Sequence, residues 1–296
     1  RADGGPDLDR LVRHAQWLLA NGCDGVAPLG TTGEGNSLPM EARLQVPGAL
    51  KRAGIPGERA IIGTGACSLG DAILLTQRCV EAGYPNVLVL PPFYYKNPAE
   101  DGLFAYFAGI AKAVAAPELR LFLYHFPQMA AVPITQGLVG RLRDAFGARI
   151  AGMKDSSGDW ANTEAMIKAF PGFRCFSGSE ELLTRNLAAG GAGCISASTN
   201  VTARLAAAML KADPKADPAG RAALDAELKE IRQTIQKYPL VAALKQIMAW
   251  HTGDASWLSL FPPLVPLSRD AAAELRGKLE AFRYFRQDMP FRKAAA

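Results

Sequence analysis

The stretch RIAGMKDSS (residues 149–157) is an apolar run of strand length that ends in a lysine, Lys154, an acid and two hydroxyls. Short apolar runs of the same kind, rich in branched residues, recur along the first two thirds of the chain and predict strands. The other six are GVAPLG (from 25), AIIGTG (60), NVLVLPP (86), LRLFLYHFP (119), FRCFSGS (173) and AGCISAS (192). The pattern therefore predicts seven strands.

Segments with helical periodicity separate these runs, for example DAILLTQRCVEAG and GLFAYFAGIAKAV. Alternating strands and helices indicate a parallel sheet, and near-continuous apolar strands indicate burial on both faces. A repeat of about 30 residues favours an α/β fold of the (β/α)8 TIM-barrel type over an open, doubly wound sheet, although both show the same alternation.

The first element, DLDRLVRHAQWLLANG, has the pattern of a helix, whereas a closed barrel needs an eighth strand ahead of it. We expect the first barrel strand to be missing from this chain, or the barrel to be incomplete there. After residue 200 the pattern is helical throughout. We assign residues 1–200 to the barrel with its active site, and residues 201–296 to the last barrel helix and a C-terminal helical extension.

Composition excludes several classes of protein. The net charge of +5 comes from 33 basic and 28 acidic residues that are interspersed, which does not indicate a nucleic-acid partner. No run approaches the ~20 apolar residues of a membrane span, and the start RADGGPDLDR has no apolar signal segment. Five scattered cysteines without C-x-x-C indicate neither a disulfide framework nor a zinc knuckle. We expect a cytoplasmic globular protein.

Lys154 is the first candidate for chemistry, because active sites of such barrels lie at the carboxyl ends of the strands. Burial disfavours the charged form of an amine, and a neutral amine can condense with a ketone to give a Schiff base. That adduct is an electron sink for making or breaking the adjacent carbon–carbon bond. The alternative, favoured by periodicity alone, is a lysine that pairs with Asp155 or reaches solvent.

Tyr124 ends the preceding strand in LFLYHFP, where its phenol could relay the protons that Schiff-base formation requires. A tyrosine that is simply packed is the alternative. His125 alternates to the other side of the strand. Since only His14 and His251 remain, a histidine-based metal site is not expected, and we predict no metal and no cofactor.

Glycine-rich turns follow several strands. GTTGEGNS (residues 30–37) could direct backbone N–H groups and the hydroxyls of Thr31 and Thr32 at a carboxylate, or be an ordinary tight turn. SGSEELL (from 177) and GGAGCISAS (from 190) supply small residues where a substrate approaches the backbone, and they also fit a phosphate site.

Taken together, these segments resemble the dihydrodipicolinate synthase and N-acetylneuraminate lyase family of pyruvate-dependent class I aldolases. The segments that carry the resemblance are DLDRLVRHAQWLLANGCDGVAPLGTTGEGNSL, PPFYYKNPAEDGLFAYFAGIA, LYHFP, GMKDSSGD, FSGSEELL, GGAGCISASTN and FPPLVPL. The resemblance implies that Lys154 is the Schiff-base lysine for pyruvate and Tyr124 the central acid/base. It also implies that Thr31 and Thr32 meet the pyruvate carboxylate, with Thr31 in the proton relay.

By the same resemblance, Gly178 and Ile195 line the pyruvate pocket with backbone. A second relay tyrosine, lent across a dimer interface, falls in PPFYYKNP; Tyr94 is the better candidate and Tyr95 stays open. The family's usual assembly implies a homotetramer built from two dimers. Its substrates are pyruvate and a small aldehyde or 2-keto acid.

Two departures bear on the substrate. His125 in YHFP stands where the family usually has asparagine. Dihydrodipicolinate synthases place an arginine two residues after the proline, to grip the carboxylate of aspartate semialdehyde, whereas this chain has Met129. Methionine supplies neither the charge nor the bidentate hydrogen bonds, a loss of about 2 kcal/mol or more in substrate binding.

We therefore predict a lyase that holds pyruvate on a strand-6 lysine and makes or cleaves a carbon–carbon bond, with a 2-keto-3-deoxy acid as the preferred type of substrate. One alternative is 4-hydroxy-tetrahydrodipicolinate synthase, which condenses pyruvate with aspartate semialdehyde. The others are a non-enzymatic barrel that binds keto acids, and a phosphosugar-binding barrel in which Lys154 only forms an ion pair.

Overall fold

The computed structural model describes residues 5–292 of the chain. Among these residues one sheet is found, in which six parallel strands follow one another in chain order. The strands are β1 (Ile62–Gly63), β2 (Asn86–Val89), β3 (Arg120–His125), β4 (Ile150–Asp155), β5 (Arg174–Ser177) and β6 (Gly193–Cys194). The predicted α/β fold with a parallel sheet is thus confirmed.

Helices separate the strands and follow the last one. They are α1 (Leu8–Ala20), α2 (Met40–Arg52), α3 (Leu69–Glu81), α4 (Glu100–Ala113), α5 (Pro127–Ala130), α6 (Gln136–Phe146), α7 (Trp160–Ala169), α8 (Leu183–Ala188), α9 (Thr199–Lys211), α10 (Pro218–Ile235), α11 (Leu240–Thr252), α12 (Arg269–Glu280) and α13 (Arg283–Gln287). Side chains cap several of them: Thr135 Oγ1 accepts the Leu138 N–H at 3.0 Å at the start of α6.

The strand count is a correction to the prediction. In the first predicted strand, GVAPLG, only Val26 forms a bridge, to Ala60, although Pro28 O still accepts the Gly63 N–H at 2.9 Å. Pro28 has no N–H to donate, and Leu29 adopts a left-handed φ of 62°, so the run cannot continue as a strand. Residues 5–292 therefore form six strands, not the seven predicted nor the eight of a closed barrel.

The strands at the centre of the sheet are buried on both faces, as their continuous apolar runs predict. From Leu121 to His125 every residue of β3 is buried, and β4 is buried except at Lys154, which is half-buried. Burial of both faces is the usual state of a parallel sheet covered by helices. Lys154 departs from this pattern as the one partly accessible residue of β4.

The chain divides into two compact units. The sheet unit comprises residues 5–16 and 24–195, and the helical unit comprises residues 17–23 and 196–292. In the helical unit, α10 buries Leu228, Ile231 and Ile235, whose spacing places them on one face. After residue 200 the chain forms the helices α9 to α13, as the pattern predicts, except for a largely non-helical stretch between Thr252 and Arg269. No helix within residues 5–292 is both long enough and apolar enough to cross a membrane.

Candidate active site

Lys154 and Tyr124 lie side by side near the carboxyl ends of β4 and β3. They are partners in the parallel register, so their side chains share one face of the sheet. The Lys154 Nζ lies 4.5 Å from the centroid of the Tyr124 ring. Tyr124 is buried, and Lys154 is half-buried. The structure thus brings the two principal predicted catalytic residues together.

The carboxylate of Asp155, one residue further, is occupied by other partners. Its Oδ1 accepts the N–H of Ser157 at 2.9 Å and the Ser157 hydroxyl at 2.6 Å. Its Oδ2 accepts the Asn162 side-chain amide and the Thr163 hydroxyl, both at 2.8 Å. No ion pair of Lys154 is found in the part of the chain that the structure describes, so the alternative in which Lys154 pairs with Asp155 is wrong.

The glycine-rich loop after the first predicted strand reaches the tyrosine. Thr31 Oγ1 lies 3.4 Å from the Tyr124 hydroxyl, within hydrogen-bonding distance. The loop is tight, because Glu34 adopts a left-handed φ of 54° and a Cβ on Gly35 would overlap the carbonyl oxygen of Leu29. The resemblance implies that Thr31 shares a proton relay with Tyr124, and the structure brings the two hydroxyls together; Thr32 follows in the same loop and is half-buried.

Gly178 and Ile195 lie at the same edge of the sheet, just after β5 and β6. The Gly178 N–H donates to the Asp155 carbonyl at 2.6 Å, and the Ile195 N–H donates to the Ser177 carbonyl at 2.9 Å. A Cβ on Gly178 would overlap the Ser156 hydroxyl, so only glycine fits beside the end of β4. Both residues therefore lie at the edge of the sheet that carries Lys154.

Three predicted site residues are exposed in this chain. The accessible fractions are 59% for Met129 in α5, 73% for Tyr94 and 77% for Tyr95. The two tyrosine rings pack edge to face with centroids 5.3 Å apart. Among the described residues neither ring contacts Tyr124, so a single chain does not assemble the second tyrosine into the site.

The segment after β3 contains contacts that the sequence did not reveal. The Phe126 ring stacks on Tyr124 at 5.7 Å between centroids and an interplanar angle of 26°. His125 is buried, and its Nδ1 accepts the Ile134 N–H at 3.0 Å. The predicted alternation of His125 away from Tyr124 agrees with this bond. Hydrogen-bond partners nine residues apart cannot be inferred from the pattern of YHFP alone.

The geometry supplies an amine, a phenol and a threonine hydroxyl in one chain of neighbours. An amine without a carboxylate partner can act as a nucleophile, and two hydroxyls within hydrogen-bonding distance can pass a proton between them. A separate surface cavity of about 310 Å³ between α2 and α3 contains none of these residues. The carboxyl edge of the sheet is therefore the candidate active site.

Comparison with known proteins agrees with this site. The Dihydrodipicolinate synthetase family matches residues 1–282. An uncharacterized DapA-like lyase of Chloroflexus aurantiacus is 37% identical over 281 residues, covering 94% of this chain and 92% of that protein. The crystal structure of dihydrodipicolinate synthase from Agrobacterium tumefaciens is 32% identical, with a TM-score of 0.84 and 96% of each chain covered.

A second solved structure is that of YagE from E. coli K12, a prophage protein of the dihydrodipicolinic acid synthase family, in complex with pyruvate. It is 29% identical, with a TM-score of 0.85, and covers 95% of this chain and 94% of that chain. These similarities define an enzyme of the lyase class. More specifically, the chain belongs to the dihydrodipicolinate synthetase family, which confirms the predicted resemblance and sets aside the non-enzymatic alternative.

Proposed function

We propose that the protein is a Schiff-base-forming lyase that holds pyruvate on Lys154 and makes or cleaves a carbon–carbon bond with an aldehyde. The observation that carries the proposal is the placement of the Lys154 amine 4.5 Å from the Tyr124 ring, with the Tyr124 hydroxyl 3.4 Å from Thr31. The pyruvate bound in the related YagE structure supports the choice of keto acid.

In the proposed reaction the neutral amine of Lys154 attacks C2 of pyruvate, and a proton passes from the nitrogen through Tyr124 to the keto oxygen to give a carbinolamine. Tyr124 protonates the hydroxyl, which leaves as water, and the Schiff base remains. The Tyr124 phenolate takes a proton from C3 to give an enamine, whose C3 then attacks the aldehyde carbon while the aldehyde oxygen takes the proton from Tyr124. Cleavage of a 2-keto acid follows the same steps in reverse, and water releases pyruvate from the lysine.

The remaining site residues receive roles around this chemistry. Thr31 exchanges protons with Tyr124, and Thr32 meets the pyruvate carboxylate together with backbone N–H groups of its loop. Gly178 and Ile195 line the pocket with backbone, which lets a small keto acid approach closely. None of these groups adds a full charge to the pocket.

The exposed tyrosines support an assembly. Two adjacent aromatic rings with about three quarters of their surface accessible are unusual unless another surface covers them. We propose that a partner subunit in a homotetramer built from two dimers covers them, and that Tyr94, or else Tyr95, completes the partner's proton relay.

Met129 supports a 2-keto-3-deoxy acid as the substrate. It lies in α5, beside Gln128, whose amide donates to the Ser157 carbonyl at 2.6 Å, and so it belongs to a loop tied to the end of β4. A thioether there favours an acceptor without a carboxylate at this point. The alternative, 4-hydroxy-tetrahydrodipicolinate synthase, is supported by the 32% identity to the Agrobacterium tumefaciens enzyme.

A Met129→Arg variant separates these two substrates. If the enzyme acts on a 2-keto-3-deoxy acid, we expect the parent to be inactive with pyruvate and aspartate semialdehyde, and the arginine to improve that condensation. A parent enzyme that condenses the two efficiently without the arginine would establish the alternative. The rates are measured by product absorbance with each aldehyde at equal concentration.

Three further predictions belong to the proposal. The six strands form part of a (β/α)8 barrel, residues 1–200 carry the chemistry while residues 201–296 supply the last barrel helix and an extension, and the enzyme works in the cytoplasm. The family assignment supports the barrel; the rest follows from the sequence pattern.

Borohydride reduction in the presence of pyruvate tests the proposal. We expect one reduced pyruvate adduct on the peptide that contains Lys154, and none in the Lys154→Arg variant, which keeps the charge. Equal labelling of the variant would place the chemistry elsewhere. If no pyruvate adduct forms and inorganic phosphate binds at the site instead, the result would support the phosphosugar-binding alternative.

A further inference from the structure

His125 anchors the segment that follows β3, residues 126–134, which we call the acceptor segment. The segment carries Met129 outward, while Ala130, Val132 and Ile134 are buried. Its far end is fixed by the hydrogen bond from the Ile134 N–H to the His125 Nδ1, 3.0 Å long and buried. A single side chain thus joins both ends of the segment.

Two other contacts hold the acceptor segment to the site. Phe126 stacks on the Tyr124 ring, and the Gln128 amide donates to the Ser157 carbonyl in the loop after β4. Ala131 adopts a left-handed φ of 53°, a conformation that costs energy for alanine and that needs the surrounding contacts to maintain it. The hydrogen bond to His125 is therefore one of a few restraints on a strained turn.

The bond requires one protonation state of the ring. A nitrogen that accepts a hydrogen bond carries no proton, so His125 is neutral, with its proton on Nε2. Adding a proton to Nδ1 would set two N–H donors against each other in a buried place. Protonation and this hydrogen bond therefore exclude each other.

Groups around the His125 ring shift its pKa in opposite directions. Burial lowers the pKa of His125, and the carboxylates of Asp155 and Asp159 raise it by smaller amounts. The charge of Asp155 is already engaged by Ser157, Asn162 and Thr163, and Asp159 caps the start of α7 through the Ala161 N–H at 2.9 Å. The net effect favours the neutral ring.

We propose that His125 is a positioning residue, whose neutral ring holds the acceptor segment against the site and whose protonation releases it. The assignment of this segment to the aldehyde side rests on the proposed function, whereas the hydrogen bond and its loss on protonation do not. Lys154 and Tyr124 face the other side of their strands, so protonation of His125 acts on the aldehyde side, and the response of pyruvate addition to acid is the same with or without the histidine.

Hydrogen–deuterium exchange of the full chain tests the release directly. The measured quantity is the protection of the peptide covering residues 126–134, corrected for intrinsic exchange, between pH 7.5 and pH 5. The variants are His125→Asn, whose Oδ1 stands near the position of Nδ1 and accepts without titrating, and His125→Ala, which has no acceptor. A peptide from α4 reports whether each variant is folded.

We expect protection in the parent to fall as the pH is lowered, and protection in His125→Asn to stay constant. In His125→Ala we expect it to be lower by about ten-fold or more at every pH, because the buried Ile134 N–H has lost its partner. The same pH course in the parent and in His125→Asn would overturn the proposal, even if His125→Ala fails to fold.

A kinetic experiment addresses the substrate side, with pyruvate release from 2-keto-3-deoxygluconate as the assay. Acidification should raise the KM of the parent more than that of His125→Asn, while pyruvate trapping on Lys154 changes equally in both. Unequal changes of pyruvate trapping in the parent and in His125→Asn would contradict the proposal that His125 acts on the aldehyde side only. Absence of trapping in both would instead defeat the proposed function, and the exchange experiment would still decide the role of His125.

Discussion

The last two residues of β3 and β4 form two rows with opposite properties. The inner row, Tyr124 and Lys154, faces the candidate site with one hydrogen-bond contact at 3.4 Å and no ion pair within the described residues. The outer row, His125 and Asp155, is buried, and its side chains accept five hydrogen bonds. Both rows come from adjacent positions in the same two strands.

Successive side chains of a strand face opposite sides of the sheet. Reactive residues and residues that fix the loops can therefore occupy adjacent positions in the same strand. Groups that must react with a substrate make few hydrogen bonds within the chain, while their neighbours fix the loops on either side. The Asp155 carboxylate accepts hydrogen bonds from Ser157, Asn162 and Thr163, and so fixes the chain immediately after the lysine. Held in this way, Lys154 can be oriented without an ion pair to Asp155.

The largest expected effect is on turnover, from Lys154→Arg. Arginine keeps the charge and much of the length but cannot form a Schiff base, so we expect the rate to fall by roughly 10⁴-fold or more. The measurement is pyruvate release or aldehyde consumption at saturating substrate. Residual activity within ten-fold of the parent would show that Lys154 does not carry the chemistry.

A smaller loss is expected for Tyr124→Phe, which deletes only the hydroxyl that lies near Thr31. Because the ring still packs on Phe126, the fold should be kept, while proton transfer during Schiff-base formation slows by roughly 10²- to 10⁴-fold. Single-turnover kinetics of pyruvate addition measure this step. An unchanged rate of addition would assign the proton relay to another group.

The outer row should affect stability where the inner row does not. Asp155→Asn replaces one of the two acceptor oxygens by an NH2 group, a donor that would face other donors. We therefore expect the free energy of unfolding to fall by about 2 kcal/mol. The matched inner variant, Lys154→Met, removes a group without an ion pair and should cost less than about 1 kcal/mol. Urea unfolding measures both free energies. A larger loss for Lys154→Met than for Asp155→Asn would contradict the difference between the two rows.

The smallest effect is the pH dependence of stability that His125 contributes. Burial holds its pKa below the ordinary value of 6.5, so the unfolded chain binds a proton more readily than the folded protein. The free energy of unfolding should therefore fall as the pH is lowered below about 6.5, until the folded ring is protonated too. Asparagine does not titrate there, so His125→Asn should lack this contribution.

The difference between the two proteins is the quantity to measure, since His251 is half-buried, its pKa is also lowered by burial, and it contributes equally to both. Urea unfolding at pH 7.5 and pH 5.5 provides it. Identical pH slopes for the parent and His125→Asn would show that the ring is not held neutral.

Much of the sheet and of the inner row could be predicted from the sequence. Apolar runs of strand length marked β1 to β6, and polar residues at their ends marked Lys154 and Tyr124, because these features depend on local order in the chain. The first predicted strand was not formed beyond one bridge, since Pro28 and Leu29 break a run that is apolar by composition.

The outer row could not be predicted in the same way. In sequence, Asp155 is the nearest acid to Lys154 and so looks like its partner, whereas alternation turns it toward Asn162 and Thr163 in α7. The bond between His125 and Ile134 joins residues through a turn whose geometry depends on a left-handed Ala131. Such contacts depend on how loops fold back, which no residue pattern in the chain specifies.

A crystal structure of the enzyme soaked with pyruvate tests the central claim most directly. The account predicts continuous electron density between the Nζ of Lys154 and C2 of pyruvate, with the keto acid beside the Tyr124 hydroxyl and its carboxylate at Thr31 and Thr32. Pyruvate bound elsewhere, or an unmodified Lys154 beside an occupied pocket, would contradict it.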